Sequence, residues 1–232
     1  MSDLSEFLVT TRWPAKDPSV IQLYAFPTPN GVKVSIALEE MGLAYEPHLV
    51  TLSDADVKSE AFLSLNPNNK IPAIIDPNGA DGPIGIWESG AILLYLAEKS
   101  GKFGGNTATE KAHVTQWLMF QMGGLGPMLG QLGYFSKFAG KEIEDPRPRE
   151  KFVAEAKRLL AVVDGQLEGR DWIVGDYSIA DMAIAPWLNA LEFYGTKDVV
   201  GYHDLKNVPA YVERFYARPA VAKAQNIPAR PV

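Results

Sequence analysis

Asn68-Asn69-Lys70-Ile71-Pro72-Ala73, followed by Trp87-Glu88-Ser89-Gly90-Ala91-Ile92, are the two stretches from which the architecture of this chain is read. Ile71-Pro72-Ala73 leads into an extended segment, Ala73 to Asp76. A proline at the head of a strand, after a tight turn, predicts a cis peptide bond. That arrangement leaves the backbone N–H and C=O of Ile71 outside the sheet and open to a bound peptide. Farther on, the extended run Ile84 to Trp87 gives way to an apolar helix, Ala91 to Glu98, with Glu88-Ser89-Gly90 at the junction. Ser89 is the expected N-cap, and the N–H groups of a helix N-terminus attract a carboxylate. Glu88 beside it offers an anion to an ammonium. An amino-acid head group carries both charges on one carbon and suits this pair.

The pattern extends outward from there. Ile21 to Phe26 reads as a strand and Gly31 to Met41 as a helix that stops at Gly42. Tyr45 to Leu49 is a second strand, Ser59 to Leu65 a short helix, and Ala91 to Ser100 the last helix of the run. This βαβ–α–ββα order predicts a thioredoxin-like α/β unit over residues 19–104. Residues 1–18 form an N-terminal arm without its own core, with Trp13 as the residue that could pin it.

From residue 107 the strand signals vanish, and 107–232 reads as an all-helical domain. Thr107 to Phe138 is a long helix bent by its glycines and Pro127. Pro146 and Pro148 mark a loop, and Glu150 to Leu167 has a helical period. Ser178-Ile179-Ala180-Asp181 reads as a capping box, which gives Ser178 and Asp181 structural roles. Asn207-Val208-Pro209 opens a further helix.

Composition narrows the function. The 232 residues are 47% hydrophobic and 22% charged, enough to bury a sizeable core. A net charge of −6, without a basic block, turns away from nucleic acid and anionic membrane. No apolar run approaches the ~20 residues that span a bilayer. The first residues lack the positive region and apolar core of a signal peptide. The chain has no cysteine, which removes a cysteine nucleophile, disulfides and cysteine-held metals, and which is compatible with a cytoplasmic location. His48, His113 and His203 lack metal-ligand spacing, so no metal site is expected.

Thr28 and Asn30, in Pro27-Thr28-Pro29-Asn30-Gly31, lie between the first strand and its helix. Backbone N–H groups and positive helix-end potential converge there. Helix N-termini bring thiols from a pKa of ~8.5 to below ~7.5, and a hydroxyl and a carboxamide can both donate to a thiolate. The same residues also make an ordinary turn and cap. Tyr24 is a rival hydroxyl, or a core residue.

With these placements the chain resembles the glutathione transferase superfamily from about Ile21 onward. The 27–31 stretch and Gln121-Met122-Gly123-Gly124-Leu125-Gly126-Pro127-Met128-Leu129-Gly130-Gln131 resemble its Nu class, the Ure2-like glutathione-dependent disulfide oxidoreductases. The resemblance implies a thioredoxin-like domain joined to a helical domain. It implies glutathione as co-substrate, bound at Ile71, Glu88 and Ser89, with Lys70 reaching the glycyl carboxylate and Pro72 shaping the loop. It implies that Thr28 and Asn30 hold the sulfur as the catalytic pair. Nu relatives often carry Glu-Arg-Tyr where this chain has Glu150-Lys151-Phe152. Lys151 would take the place of a glutathione-binding arginine without its bidentate fork. The glycine-rich stretch faces the cleft in such relatives, although close helix packing explains it without a ligand. Tyr134 and Phe135 read equally as a wall for a second substrate or as core.

The implied activity is glutathione-dependent reduction of disulfides, by a homodimer. Its partners are glutathione or glutathione disulfide and a small disulfide or electrophilic substrate. Ether or thioether cleavage at the same site, or a non-catalytic glutathione-binding regulatory role, are the alternatives.

Overall fold

A computed structural model describes residues 4–230 of the protein, so the first three residues of the expected arm lie outside the described residues. Contacts divide the chain into two units, Met1–Gly101 with Pro219–Val232, and Lys102–Arg218.

The first unit holds strands β1 (Ile21–Ala25), β2 (Tyr45–Leu49), β3 (Ala73–Gly79) and β4 (Gly82–Trp87). Its numbered helices are α1 (Val9–Arg12), α2 (Pro29–Met41), α3 (Asp54–Val57), α4 (Glu60–Leu65) and α5 (Ser89–Ser100). The strands form one sheet in the order β2-β1-β3-β4. β1 and β2 run parallel, joined through α2, and the other pairs are antiparallel. Pro47 has no donor to give a ladder and lies in β2, an edge strand.

Alternation along the strands sorts the side chains onto two faces. Tyr24, Ala73 and Ile75 join Val9, Val57, Phe62 and Leu65 in one buried cluster on the side of α1 and α4. The intervening Leu23 and Ile74 are fully buried and point to the opposite face, that of α2 and α5. A clamp fixes α5 on the sheet. Asp76 of β3 accepts from the Tyr95 hydroxyl at 2.7 Å and pairs with Lys99 at 2.8 Å.

The arm is more firmly held than the sequence suggests. Val9 is fully buried in the cluster, and the Trp13 indole donates to the Leu49 carbonyl at 3.0 Å. The chain end also returns to this unit. The helix Pro219–Ala224, which the sequence assigned to the helical half, packs on α2, where Ser35 Oγ donates to the Ala224 carbonyl at 3.1 Å.

The second unit is helical: α6 (Ala108–Phe120), α7 (Gly126–Lys137), α8 (Arg147–Gln166), α9 (Ile179–Tyr194) and α10 (Val208–Tyr216). One wide turn, Gln121–Leu125, joins α6 to α7 where a bend was expected. A Cβ added at Gly133 would lie 2.7 Å from the Tyr194 ring, so close packing of α7 on α9 requires glycine there. The loop expected at Pro146 and Pro148 is shorter than read. α8 already begins at Arg147, because a proline in the first turn forfeits no intrahelical bond. Among the described residues, no helix is long and apolar enough to cross a membrane.

Candidate functional site

Three chain segments meet at one end of the sheet. Tyr24 pairs with Ala73, and Ala73 pairs with Trp87. The end of β1, the start of β3 and the end of β4 therefore lie side by side. Thr28 and Asn30 follow the first, Lys70 to Pro72 precede the second, and Glu88 and Ser89 follow the third.

Thr28 is the N-cap of α2, and its hydroxyl oxygen accepts from the Gly31 N–H at 3.3 Å. The hydroxyl keeps a proton to donate elsewhere. The turn that presents it demands glycine next door. A Cβ at residue 31 would sit 1.9 Å from the Phe26 carbonyl oxygen. Thr28 and Asn30 are both half-buried at the helix mouth.

Lys70 and Ile71 sit on a loop that Asn66 organises. The buried Asn66 amide donates to the Lys70 carbonyl at 2.6 Å and accepts from the Asn68 N–H at 2.9 Å. Asn69 takes a left-handed backbone, φ 52°, which asparagine tolerates. The Ile71–Pro72 bond is cis, and β3 begins only at Ala73. The Lys70 side chain is exposed. Sequence reasoning passed over Asn66, although an asparagine ahead of Pro67-Asn68-Asn69 is a recognisable turn signal.

Ser89 is not the N-cap of α5 but its first helical residue. Glu88 takes the cap position with φ 72°, a positive value unusual for glutamate. The chain turns one residue earlier than read, and Ser89 Oγ accepts from Lys33 Nζ at 3.3 Å. The Glu88 side chain makes no capping hydrogen bond to α5. The N-terminus of α5 thus presents positive potential beside the exposed Glu88 carboxylate.

Lys33 links the two ends of this arrangement. It is fully buried on α2, and its ammonium also donates to Asn30 Oδ1 at 2.8 Å. Burial lowers its pKa to about 7, with the Glu88 carboxylate pulling the other way. The sequence signal was present but unused: a lysine one turn after Asn30, between Val32 and Val34.

Tyr24, read as a rival hydroxyl or a core residue, is a core residue. Its ring lies in the cluster on the α1 and α4 face, stacked on His48 at 4.7 Å. Its Oη is buried and has no hydrogen-bond partner among the described residues.

The remaining predicted residues lie in the second unit. Lys151 is exposed on α8, next to Phe152, which stacks on Phe135 at 5.5 Å. The Ser178 hydroxyl accepts from the Ala180 N–H at 3.2 Å, and Asp181 accepts from the Ser178 N–H at 2.9 Å, closing a capping box. Asp181 also accepts from the Ile173 N–H at 3.0 Å and the Tyr211 hydroxyl at 3.1 Å. Among the described residues, no group of acidic or histidine side chains could hold a metal ion.

Residues 19–98 match the family description "Glutathione S-transferase, N-terminal domain", and residues 127–219 match "Glutathione S-transferase, C-terminal domain". The chain is similar to the disulfide-bond oxidoreductase YfcG of Escherichia coli (strain K12), at 45% identity over 208 residues, 88% of this chain and 94% of that protein. Among solved structures it is similar to a glutathione transferase from Burkholderia graminis with two glutathione molecules bound per subunit. That match has a TM-score of 0.97 and 57% identity over 100% of this chain and 98% of the other. It is also similar to a glutathione transferase from Pseudomonas putida with one glutathione disulfide bound per subunit, with a TM-score of 0.96 and 54% identity over 98% of this chain and 100% of the other.

Proposed function

The chain belongs to the glutathione S-transferase family, and from that premise we propose that it is a glutathione-dependent disulfide-bond reductase working through a glutathione thiolate held at Thr28 and Asn30. The observation that carries the reading is the meeting of two helix N-termini, with Thr28 and Asn30 on one and Glu88 and Ser89 on the other, joined through Lys33. The α5 end suits the γ-glutamyl head group, Ile71 the cysteinyl backbone and Lys70 the glycyl carboxylate. The α2 end then receives the sulfur. The similarity to a disulfide-bond oxidoreductase supports the same activity, and the relatives with two glutathiones or one glutathione disulfide per subunit support a site that accepts a pair.

The reaction balances without a protein sulfur. The bound glutathione thiolate attacks one sulfur of the substrate disulfide. A glutathione–substrate mixed disulfide forms, and the other substrate sulfur leaves as a thiolate that takes up a proton. A second glutathione thiolate attacks the glutathione sulfur of that mixed disulfide. Glutathione disulfide forms and the second substrate thiolate leaves. Two glutathiones supply the two electrons. The protein contributes position and stabilisation of the thiolate.

The 27–31 motif supports placement in the Nu class, and the reading includes a two-fold dimer and a cytoplasmic location, where glutathione keeps thiols reduced. Lys151 is the proposed, weaker substitute for the arginine contact of relatives.

Reduction of hydroxyethyl disulfide by glutathione tests the reading. Turnover is expected at an ordinary enzymatic rate, on the order of 1–10³ s⁻¹. It should survive treatment of the protein with an alkylating reagent, since the chain has no cysteine. No rate above the uncatalysed reaction, together with efficient conjugation of a chloronitroarene, would move the site to conjugation.

A further inference from the structure

Lys33 has no task in the reaction just described, yet it lies beneath both ends of the site. Helical side chains lean toward the helix N-terminus. Lys33 does so, and its Nζ reaches Asn30 Oδ1 at 2.8 Å and Ser89 Oγ at 3.3 Å. An ammonium has donors and no acceptor. The Asn30 amide atom that faces it is therefore the oxygen, and Nδ2 is turned to the opposite edge. Ser89 Oγ accepts from it as well, so the Ser89 hydroxyl proton points away from Nζ.

We propose that Lys33 is a positioning residue that turns the donor side of Asn30 toward the glutathione sulfur and the donor side of Ser89 toward the γ-glutamyl carboxylate. The inference rests on the glutathione reading and adds to it a single residue that organises both subsites.

The surroundings agree. Lys33 stands where the N-termini of α2 and α5 meet, so both helix dipoles oppose its charge. Burial lowers its pKa to about 7. Glu88 at the start of α5 is the carboxylate that opposes this. Glu98 and Lys99 lie in the last turn of α5. Glu39, farther along α2, pairs with Lys223 of the helix Pro219–Ala224 at 2.7 Å. Arg230 donates to the Pro27 carbonyl at 3.0 Å, and β1 carries no charged side chain. An arriving carboxylate and thiolate add negative charge near Nζ and favour its protonated form.

The test compares wild type, Lys33→Met and Lys33→Arg, each first shown to unfold cooperatively. The apparent pKa of the bound glutathione thiol is read from thiolate absorbance, and affinity and proton uptake are read by calorimetry with S-methylglutathione, which has no thiol to titrate. Lys33→Met is expected to raise the bound thiol pKa by about one unit and weaken S-methylglutathione about tenfold, the scale of one charge-assisted hydrogen bond. Lys33→Arg keeps donors only and is expected to retain most of the thiol shift. Wild type is expected to take up protons on binding S-methylglutathione near neutral pH. That uptake should be absent in both variants, because methionine does not titrate and a guanidinium stays charged.

Unchanged thiol pKa and unchanged affinity in Lys33→Met would overturn the inference and leave the reductase reading standing. Should Lys33→Met not fold, absence of proton uptake in wild type, or its persistence in Lys33→Arg, overturns it. A wild type that does not bind glutathione overturns the underlying reading instead.

Discussion

Thr28 serves as a helix cap and as a candidate thiolate donor, and the two roles use different parts of one hydroxyl. Its oxygen accepts from Gly31, and its proton remains for a ligand. Thr28→Ala and Asn30→Ala are therefore expected to lower kcat for disulfide reduction by about ten- to a hundredfold, the range of one or two charged hydrogen bonds. The KM for glutathione should move less, because the head group is held elsewhere. Steady-state kinetics on both variants checks this. Tyr24→Phe should leave kcat unchanged and stability equal or higher, since it removes a buried hydroxyl that has no hydrogen-bond partner among the described residues. The sequence favoured Tyr24 as a core or interface residue but kept it as a rival to Thr28, because the face on which Tyr24 lies follows from its register against Ala73. The gathering of Thr28, Asn30, Lys70, Ile71, Glu88 and Ser89 at one end of the sheet was legible because each sits at a junction between elements. Lys33 was not. A lysine in an amphipathic helix ordinarily reaches water, and only the packing of α5 on α2 shows that this one does not.

At the scale of elements, the helix starts were the least legible. Glu88 caps α5 with a positive φ that no glycine announces, and Pro148 sits inside α8 rather than before it. The capping box at Ser178 was plain in the sequence, but its connections to Ile173 and Tyr211 depend on tertiary packing. Asp181→Ala leaves buried donors on Ile173, Ser178 and Tyr211 without their acceptor and should destabilise the protein by roughly 3 kcal/mol or more, measured by denaturant unfolding.

The two buried aspartates respond oppositely to acid. Burial raises the Asp181 carboxyl to about 6, although the Ile173 and Ser178 N–H groups and the Tyr211 and Ser178 hydroxyls pull it down. The folded state then holds a proton that the unfolded state loses above ~3.9. The stability this gives is full below about 4 and is lost as pH rises through about 6. Burial also raises Asp76, but Lys99, Tyr95 and the Asn78 N–H outweigh it and hold that carboxyl below its ordinary value. Its contribution is present above ~3.9 and is lost as pH falls through the lower folded value. Asp76→Asn should therefore flatten the fall in stability on acidification, and Asp181→Asn should not. Urea unfolding midpoints between about pH 3 and 7 distinguish the two.

Over the whole molecule, the order of elements carried the architecture. The change from mixed strands and helices to helices alone predicted a boundary in the linker 101–107, and contacts divide the chain between Gly101 and Lys102. The return of the helix Pro219–Ala224 to the first unit was not legible, because a short helix does not encode which surface it covers. The site was legible where strand register gathers the chain ends, and illegible where a contact such as Lys33 to Ser89 joins residues far apart in sequence.

The proposed activity requires that this cysteine-free chain hold glutathione as a thiolate at the α2 end. Titration of the wild-type complex with glutathione, followed by thiolate absorbance against the S-methylglutathione complex, tests it most directly. The account predicts a bound thiol pKa below ~7.5, as helix N-termini produce, against ~8.5 for an unperturbed thiol. A bound thiol that titrates like free glutathione would contradict it.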